Sequence, residues 1–369
     1  MLLLIYPTLP QVTVSRKVTY HGCMDILDNA QILAQRDPET ALDVIASEWE
    51  QVLLDLTINN APSVDMQVKH VVVAGMGGSG LASDMLKDWL DLPVPYEVVK
   101  GYDLPSYVSQ ETLVVVSSFS GNTEETLSTL DQALEAKAQV VVITKGGKLL
   151  ERAKELELPF VQMEWGHQPR MGMFINLNAL VRLLALYGVV SSDAIEELKA
   201  TGTWLHEASQ QWLKEVPYQD NQAKQLAGWC AGKTPVCYAG THIKSLAYKW
   251  KISFNENSKN VAFHNEYPEF NHNEFIGWSS HPVEKPFAII LLKSSFDHER
   301  IQKRFDLSEK LLSGKRPAAR SIDLKGDTRL QQMLWGAVFA DFTSAYLGIL
   351  NGVDPMKVEL VEKLKLEMG

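Results

Sequence analysis

The chain has 369 residues, 46% of them hydrophobic and 22% charged, which fits about two globular domains and excludes a disordered chain, a collagen-like repeat and a coiled-coil rod. Lys and Arg number 35 against 45 Asp and Glu, a formal charge of −10; no broad basic surface for nucleic acid or an anionic membrane is expected, and any phosphate must be held by local geometry. Three scattered cysteines, Cys23, Cys230 and Cys237, make neither a disulfide framework nor a CxxC zinc pair, so a reducing, cytoplasmic setting is expected.

The opening Met1-Leu-Leu-Leu-Ile-Tyr6 is apolar, but Pro7 and Pro10 interrupt it and no basic segment precedes it. It does not read as a signal peptide. Nowhere do about 20 apolar residues run uninterrupted, so no membrane span is expected. A helical lead-in opens at Asp37-Pro38-Glu39 and runs to about Leu56. Val68 to Gly75 is a β-branched run ending in glycine, as a buried strand meeting a turn would be. A helix over Ser79 to Leu90 follows, then strands at Tyr96–Val99 and Thr112–Ser117, a helix from Asn122 to about Lys137, a strand at Gln139–Thr144, a short helix and a strand at Pro159–Met163. Strands alternating with helices of this length imply a parallel sheet covered on both faces.

From Met173 to Trp229 the pattern is helical. A second alternation begins at Thr234-Pro-Val-Cys-Tyr-Ala-Gly240, which echoes Val71-Val-Val-Ala-Gly75, and continues with strands at Pro286–Lys293 and Ala319–Leu324. Ala337 to Gly352 reads as a buried helix, and the last helix runs from Asp354-Pro355 to the end. The expected fold is α/β, with two doubly wound parallel-sheet domains, each an αβα sandwich, in tandem. The expected divisions are an N-terminal extension (1–35), a first domain (36–190), a helical connector (191–220) and a second domain with the C-terminal helix (221–369).

Gly75-Met-Gly-Gly-Ser-Gly80 lies between the first strand and its helix. Alone it satisfies GxGxxG, with Glu97 as a ribose ligand, so a nicotinamide dinucleotide site competes. In either reading the glycines let backbone amides approach an anion at a helix N-terminus. The third strand ends Ser117-Ser-Phe-Ser-Gly-Asn-Thr-Glu-Glu-Thr126. Hydroxyls at 118, 120 and 123 can converge on a phosphate without a positive field, which suits an acidic protein. Asn122 with Glu125 also fits a capping box, which leaves Ser118 and Ser120 unexplained.

These two motifs, in order on the right elements, resemble the sugar isomerase (SIS) domain family, whose members bind phosphosugars in this way. By that resemblance Gly78 and Ser79 are first-loop substrate contacts, and Ser118, Ser120 and Thr123 form the phosphate cradle. In the second half, Asn255-Glu-Asn257 and Pro268-Glu-Phe-Asn-His-Asn-Glu274 resemble the bifunctional phosphoglucose/phosphomannose isomerases, a branch with two SIS domains. Gln168-Pro-Arg170 and the closing Gly352-Val-Asp-Pro355 with Leu364-Lys365 match that branch too. Met171-Gly-Met-Phe174 departs from the small residues expected after the arginine, and nothing before residue 30 has a counterpart.

The resemblance implies an enzyme, an aldose–ketose isomerase acting on glucose 6-phosphate, mannose 6-phosphate and fructose 6-phosphate through a metal-independent enediolate, with no cofactor. Glu256 is then the base, His272 assists ring opening, Arg170 faces the enediolate's charge, and Lys365, or by a less favoured register Lys363, reaches the substrate. It also implies a homodimer in which His272 completes the neighbouring subunit's site. His264, His272, Glu266, Glu269 and Glu274 offer metal-ligand chemistry, but HxxxH spacing is absent and an enediolate route needs no metal. A non-catalytic phosphosugar sensor would keep the cradle without needing Arg170, Glu256 and His272 together, and no helix-turn-helix precedes the first domain. An aminotransferring relative is disfavoured, since no glutaminase half with a leading cysteine is present.

Overall fold

The structure, a computed structural model, describes residues 20–63, 67–165, 168–280 and 286–368. The apolar opening from Met1 to Pro10 lies outside them. The first sheet is built from β1 (Ile58–Asn59), β2 (His70–Gly75), β3 (Tyr96–Val99), β4 (Thr112–Ser118), β5 (Gln139–Thr144) and β6 (Phe160–Gln162). Its order is β1-β6-β5-β4-β2-β3, parallel apart from the short β1. The second sheet holds β7 (Thr234–Gly240), β8 (Phe263–Tyr267), β9 (Phe287–Lys293) and β10 (Arg320–Asp323), all parallel in the order β10-β9-β7-β8. The expected tandem of two doubly wound sheets is what forms.

Alternation along each strand sends side chains to two separate cores. Val71, Val73, Leu113 and Val115 enter the core shared with the second sheet, whereas Val72, Val114 and Val116 pack under the outer helices Glu124–Glu135 and Gly147–Glu155. In the second sheet Cys237, Ala239, Ile290 and Leu292 face the shared core, and Val236, Tyr238, Ile289 and Leu291 face the outer layer with Phe305. Both sheets therefore turn one face inward onto a common apolar layer.

The helix Arg329–Asn351 runs through that layer. It packs on the helices Lys244–Asn257, Gln222–Cys230 and Asp193–Ser209. Thr328 and Gln331 form a capping box at its start, and Trp212 lies 4.8 Å from Phe339 and 4.9 Å from Trp335. By length and composition this helix could cross a membrane, but its apolar window is wholly buried inside the chain. Residues 20–36 also pack onto the shared core through Cys23, Leu27 and Leu33, and Arg36 Nη1 donates to the Ile349 carbonyl at 2.7 Å.

Two elements depart from expectation. The segment 263–267, where no strand is expected, is the edge strand β8, and the lead-in from Asp37 breaks into a short helix (Ala41–Ala46) and a 3₁₀ turn (Glu48–Val52).

Asp88, on the first-domain helix Gly77–Trp89, reaches across to the second half and accepts the Ser245 amide at 2.8 Å, near the start of the helix Lys244–Asn257. Burial pushes its carboxyl up to about 6, opposed by the Ser245 hydrogen bonds. An acid whose native pKa is raised favours the folded state fully only below its unfolded pKa; the contribution is lost as pH rises to about 6 and amounts to about 3 kcal/mol. Asp88→Asn should flatten that part of the profile, so urea midpoints from pH 4 to 7 should fall less steeply in the variant than in the wild type.

Candidate active site

Three turns meet at the C-terminal end of the first sheet. Gly75 pairs in register with Ser117, and Ser118 with Thr144, so the turns after β2, β4 and β5 emerge side by side. Gly121 has φ +72°, and a methyl there would lie 1.7 Å from the Gly146 carbonyl oxygen; only glycine lets the second and third turns approach this closely. The turn Pro169–Gly172 closes over them. A methyl on Gly78 would stand 3.0 Å from the Pro169 carbonyl oxygen, and one on Gly172 would strike the Phe119 ring.

The hydroxyls sit within this cluster. Ser118 and Thr123 share a hydrogen bond of 2.8 Å between their oxygens, and the Gly121 amide donates to Ser118 Oγ at 3.1 Å. The Asn122 amide donates to Ser120 Oγ, which is exposed. Ser79 is buried and accepts from Asn176 Nδ2 at 3.2 Å, while Asn176 also donates to Ser117 Oγ. Thr123 is the N-cap of the helix Glu124–Glu135 but makes no side-chain cap, which leaves the first-turn amides without that acceptor. The capping box expected of Asn122 with Glu125 does not form. Asn122 Oδ1 instead accepts the Lys148 amide at 3.1 Å and ties the second turn to the third. Glu97, the ribose ligand of the dinucleotide reading, accepts from Tyr107 Oη at 2.7 Å.

Arg170 joins this cluster to the second half of the chain. It is only 5% exposed. Its Nε donates to Asn257 Oδ1 at 2.8 Å, Nη1 to Glu256 Oε2 at 3.4 Å, and Nη2 to the carbonyls of Pro355 and Met356 at 2.7 and 3.0 Å. Burial lowers its pKa from the usual value, while Glu256, Asp341 and Asp354 act to raise it. Glu256 is the next-to-last residue of the helix Lys244–Asn257, and its carboxylate stays partly exposed. The structure thus brings Gly78, Ser79, Ser118, Ser120, Thr123, Arg170 and Glu256 into one neighbourhood.

Lys259 is a group that sequence reasoning passed over, although it stands three residues after Glu256. Its φ of +56° turns the chain back, and Nζ donates to the carbonyls of Glu256 at 2.8 Å and Asp354 at 2.6 Å. Partial burial and the Arg170 charge lower its pKa to about 8, against the pull of Asp354 and Glu256. The signal lay in its place two residues after the Asn255-Glu-Asn257 motif.

His272 stands apart from that neighbourhood within one chain. The helix Lys244–Asn257 begins just beyond the C-terminal end of β7 and runs for roughly 20 Å before reaching Glu256. Strand β8 then returns parallel to β7, so His272, beyond its end, lies near the pole where the helix started, with an exposed side chain. The segment around it is pinned by Phe270, which is buried, and by Asn271 Nδ2 donating to Ser308 Oγ at 2.9 Å. Lys365 and Lys363 are exposed on the helix Glu359–Met368, which has no buried residue and leaves Leu360 and Leu366 82% and 81% exposed.

Among the described residues no three His, Cys, Asp or Glu side chains are grouped to hold a metal ion. Glu274, one of the acids in the metal reading, accepts instead from Tyr238 Oη, from Asn265 Nδ2 at 2.7 Å and from Trp278 Nε1. A separate cleft of about 410 Å³ opens where β3 and β8 face each other, and its charges are largely paired, Lys100 with Asp84 and Lys244 with Glu266.

Comparison with known proteins follows the same division. Residues 219–368 match the bacterial phospho-glucose isomerase C-terminal SIS domain, and residues 66–158 match the SIS domain. A bifunctional phosphoglucose/phosphomannose isomerase of Aquifex aeolicus (strain VF5) is 33% identical over 325 residues, 87% of this chain and 94% of the relative. A D-glucosamine-6-phosphate 4-epimerase of Sulfolobus acidocaldarius is 31% identical over 259 residues, 69% of this chain and 78% of the relative. Among solved structures, a hypothetical protein from Thermus thermophilus superposes with a TM-score of 0.71 over 95% of this chain and 94% of its own, at 15% identity, a likeness of fold. With two SIS domains in tandem and relatives one-third identical along most of its length, the chain belongs to the bifunctional phosphoglucose/phosphomannose isomerase family.

Proposed function

We propose that the protein is an aldose–ketose isomerase that interconverts glucose 6-phosphate and fructose 6-phosphate, with mannose 6-phosphate as a second aldose, through an enediolate and without a metal. The observation that carries the reading is the Glu256 carboxylate 3.4 Å from a buried guanidinium, beside a cradle of hydroxyls at a helix N-terminus. The phosphate lies against Ser79, Ser118, Ser120 and Thr123 over Gly78, leaving C1 and C2 of the open-chain sugar toward Glu256. Glu256 takes the proton from C2, the electron pair becomes the C1–C2 double bond, and negative charge moves to O1. Arg170 faces that charge. Glu256 returns its proton to C1 and the O2 proton passes to O1, which leaves the ketone at C2. A base facing either C2 epimer from one phosphate anchor accounts for dual specificity.

His272 and Lys365 move the proton to and from the ring oxygen. For His272 this requires a second subunit, because its own Glu256 lies at the other end of the helix Lys244–Asn257. The exposed Leu360, Leu364 and Leu366 of the terminal helix suit a chain that buries them in a homodimer. We keep the division into an extension (1–35), first domain (36–190), connector (191–220) and second domain (221–369) as part of this reading, and a cytoplasmic setting with it. A phosphosugar sensor is less well supported, since binding alone gives no reason to hold Arg170 against Glu256.

EDTA-treated protein should convert fructose 6-phosphate to glucose 6-phosphate and mannose 6-phosphate, measured separately. Glu256→Gln should lower kcat by about 10²- to 10⁴-fold. Activity lost in EDTA and restored by a divalent ion, or an unimpaired Glu256→Gln variant, would overturn the mechanism. Glucosamine 6-phosphate, the substrate named for the Sulfolobus relative, belongs in the same assay, and its turnover in place of fructose 6-phosphate would overturn the substrate.

Subunit exchange tests the shared site. Glu256→Gln and His272→Ala should each be inactive alone. After equal mixing and exchange, about a quarter of wild-type activity should return, because half the dimers are mixed and each has one intact site of two. No recovery despite demonstrated exchange would place His272 in its own subunit's chemistry or outside it.

A further inference from the structure

The helix Arg329–Asn351 carries a single aspartate, Asp341, in a stretch otherwise suited to the apolar core. Asp341 is 2% exposed, and its carboxylate oxygens lie 2.8 and 2.6 Å from Lys249 Nζ, whose residue is also 2% exposed. Ser253 Oγ donates to the same carboxylate at 2.8 Å. Glu48, buried in the 3₁₀ turn Glu48–Val52, faces the pair with one oxygen lacking a hydrogen-bond partner. Burial and the Asp341 carboxylate push the Glu48 carboxyl well above the usual range, and Lys249 and Arg170 pull it back only in part. Lys249 thus pairs with Asp341 beside a second buried carboxyl group, Glu48.

A buried ion pair is a poor way to stabilise a core, because well-packed apolar residues of the same volume do as well or better. Its position suggests another use. Lys249, Ser253 and Asn257 follow at intervals of four along the helix Lys244–Asn257 and form one stripe against the helix Arg329–Asn351. Asn257 Nδ2 donates to Ser344 Oγ at 2.9 Å, one residue short of a turn beyond Asp341, while its Oδ1 accepts from Arg170. At Gly348, on the next turn again, a methyl would lie 2.5 Å from the Asn257 carbonyl oxygen. A continuous line of polar contacts therefore runs from Asp341 and Lys249 to Arg170 and Glu256.

We propose that Lys249 and Asp341 are positioning residues for the isomerisation, fixing the rotation and axial register of the helix Lys244–Asn257 so that Glu256 meets Arg170 at its end. A charged pair with one geometry can fix the register of a helix beyond what apolar packing alone specifies. The pair touches no substrate. The inference rests on the assignment of Glu256 and Arg170 to the reaction.

The test is the double variant Lys249→Met with Asp341→Leu, which leaves no buried charge unpaired, assayed on fructose 6-phosphate beside wild type and Glu256→Gln. The double variant should unfold within a few degrees of wild type, keep its KM within about twofold and lose kcat by tenfold or more. A merely structural pair would leave kcat within twofold, and that result overturns the proposal. If the apolar pair does not fold, Lys249→Gln with Asp341→Asn keeps volume and hydrogen bonding while removing the charge, and the same criterion applies to it. Lys249→Arg, which preserves the pair, should keep most of kcat; a loss as large as the double variant's also counts against the proposal. An unimpaired Glu256→Gln variant would instead remove the site assignment itself, a different failure from a normal double variant beside a dead Glu256→Gln.

Discussion

A guanidinium withdrawn from water keeps its charge and its five N–H donors, and both must be met by the protein. Arg170 is in that position, and the residues that meet it come from far apart in the chain: Glu256 and Asn257 from the end of one helix, Pro355 and Met356 from the segment after another. Each contact fixes something else. Asn257 is in turn held by Ser344, the 355–356 carbonyls bring the C-terminal segment back over the first sheet, and Glu256 is left with one oxygen facing the arginine. The turn that carries Arg170 also rests on Gly78 and Gly172, at points where any side chain would intrude. The hydroxyl cradle and the carboxylate thus share a single anchor.

Much of this was legible in the sequence, for physical reasons that differ by element. β2, β4, β5, β7 and β9 are buried on both faces and read as apolar runs, the first four ending at glycine or hydroxyl residues. β8 was not legible: as an edge strand it leaves Phe263 and His264 exposed and carries the polar residues of a loop. The two-residue β1 offers too little sequence to show any period. The hydroxyl and glycine motifs stood out because they gather at the ends of buried apolar strands. The meeting of Arg170 with Glu256 did not, since 86 residues separate them and no local rule couples them. Asn122 shows the reverse error: its spacing to Glu125 fits a cap, yet the neighbouring turn competes for the carboxamide and wins.

The two halves use the same strand order around their first strands to different ends. In the first sheet, the space beyond Gly75 is lined by hydroxyls, Ser118 and Thr123 among them. In the second, the equivalent space beyond Gly240 holds the Asp297 carboxylate, buried, accepting the Ser294 amide at 3.1 Å and so close to Gly240 that a methyl there would overlap it. Burial raises Asp297 to about 6 despite that hydrogen bond. Of the two equivalent strand ends, one is lined by hydroxyls and the other is already occupied by a carboxylate of the chain itself.

The helix Arg329–Asn351 also bears on the order in which the protein can be assembled. Both sheets precede it in the chain, it packs on helices that line their inner faces, and it supplies Ser344 and the approach to the 355–356 carbonyls. During synthesis the first sheet is complete nearly 170 residues before this helix begins. Until then the helices Asp193–Ser209, Gln222–Cys230 and Lys244–Asn257 lack the helix they pack on, and exposed apolar surface is the condition under which nascent chains need protection from one another. Cutting the protein between its two domains would recreate part of that condition permanently: the first half would lack this helix, and neither half would keep the contacts that bring Arg170 and Glu256 together.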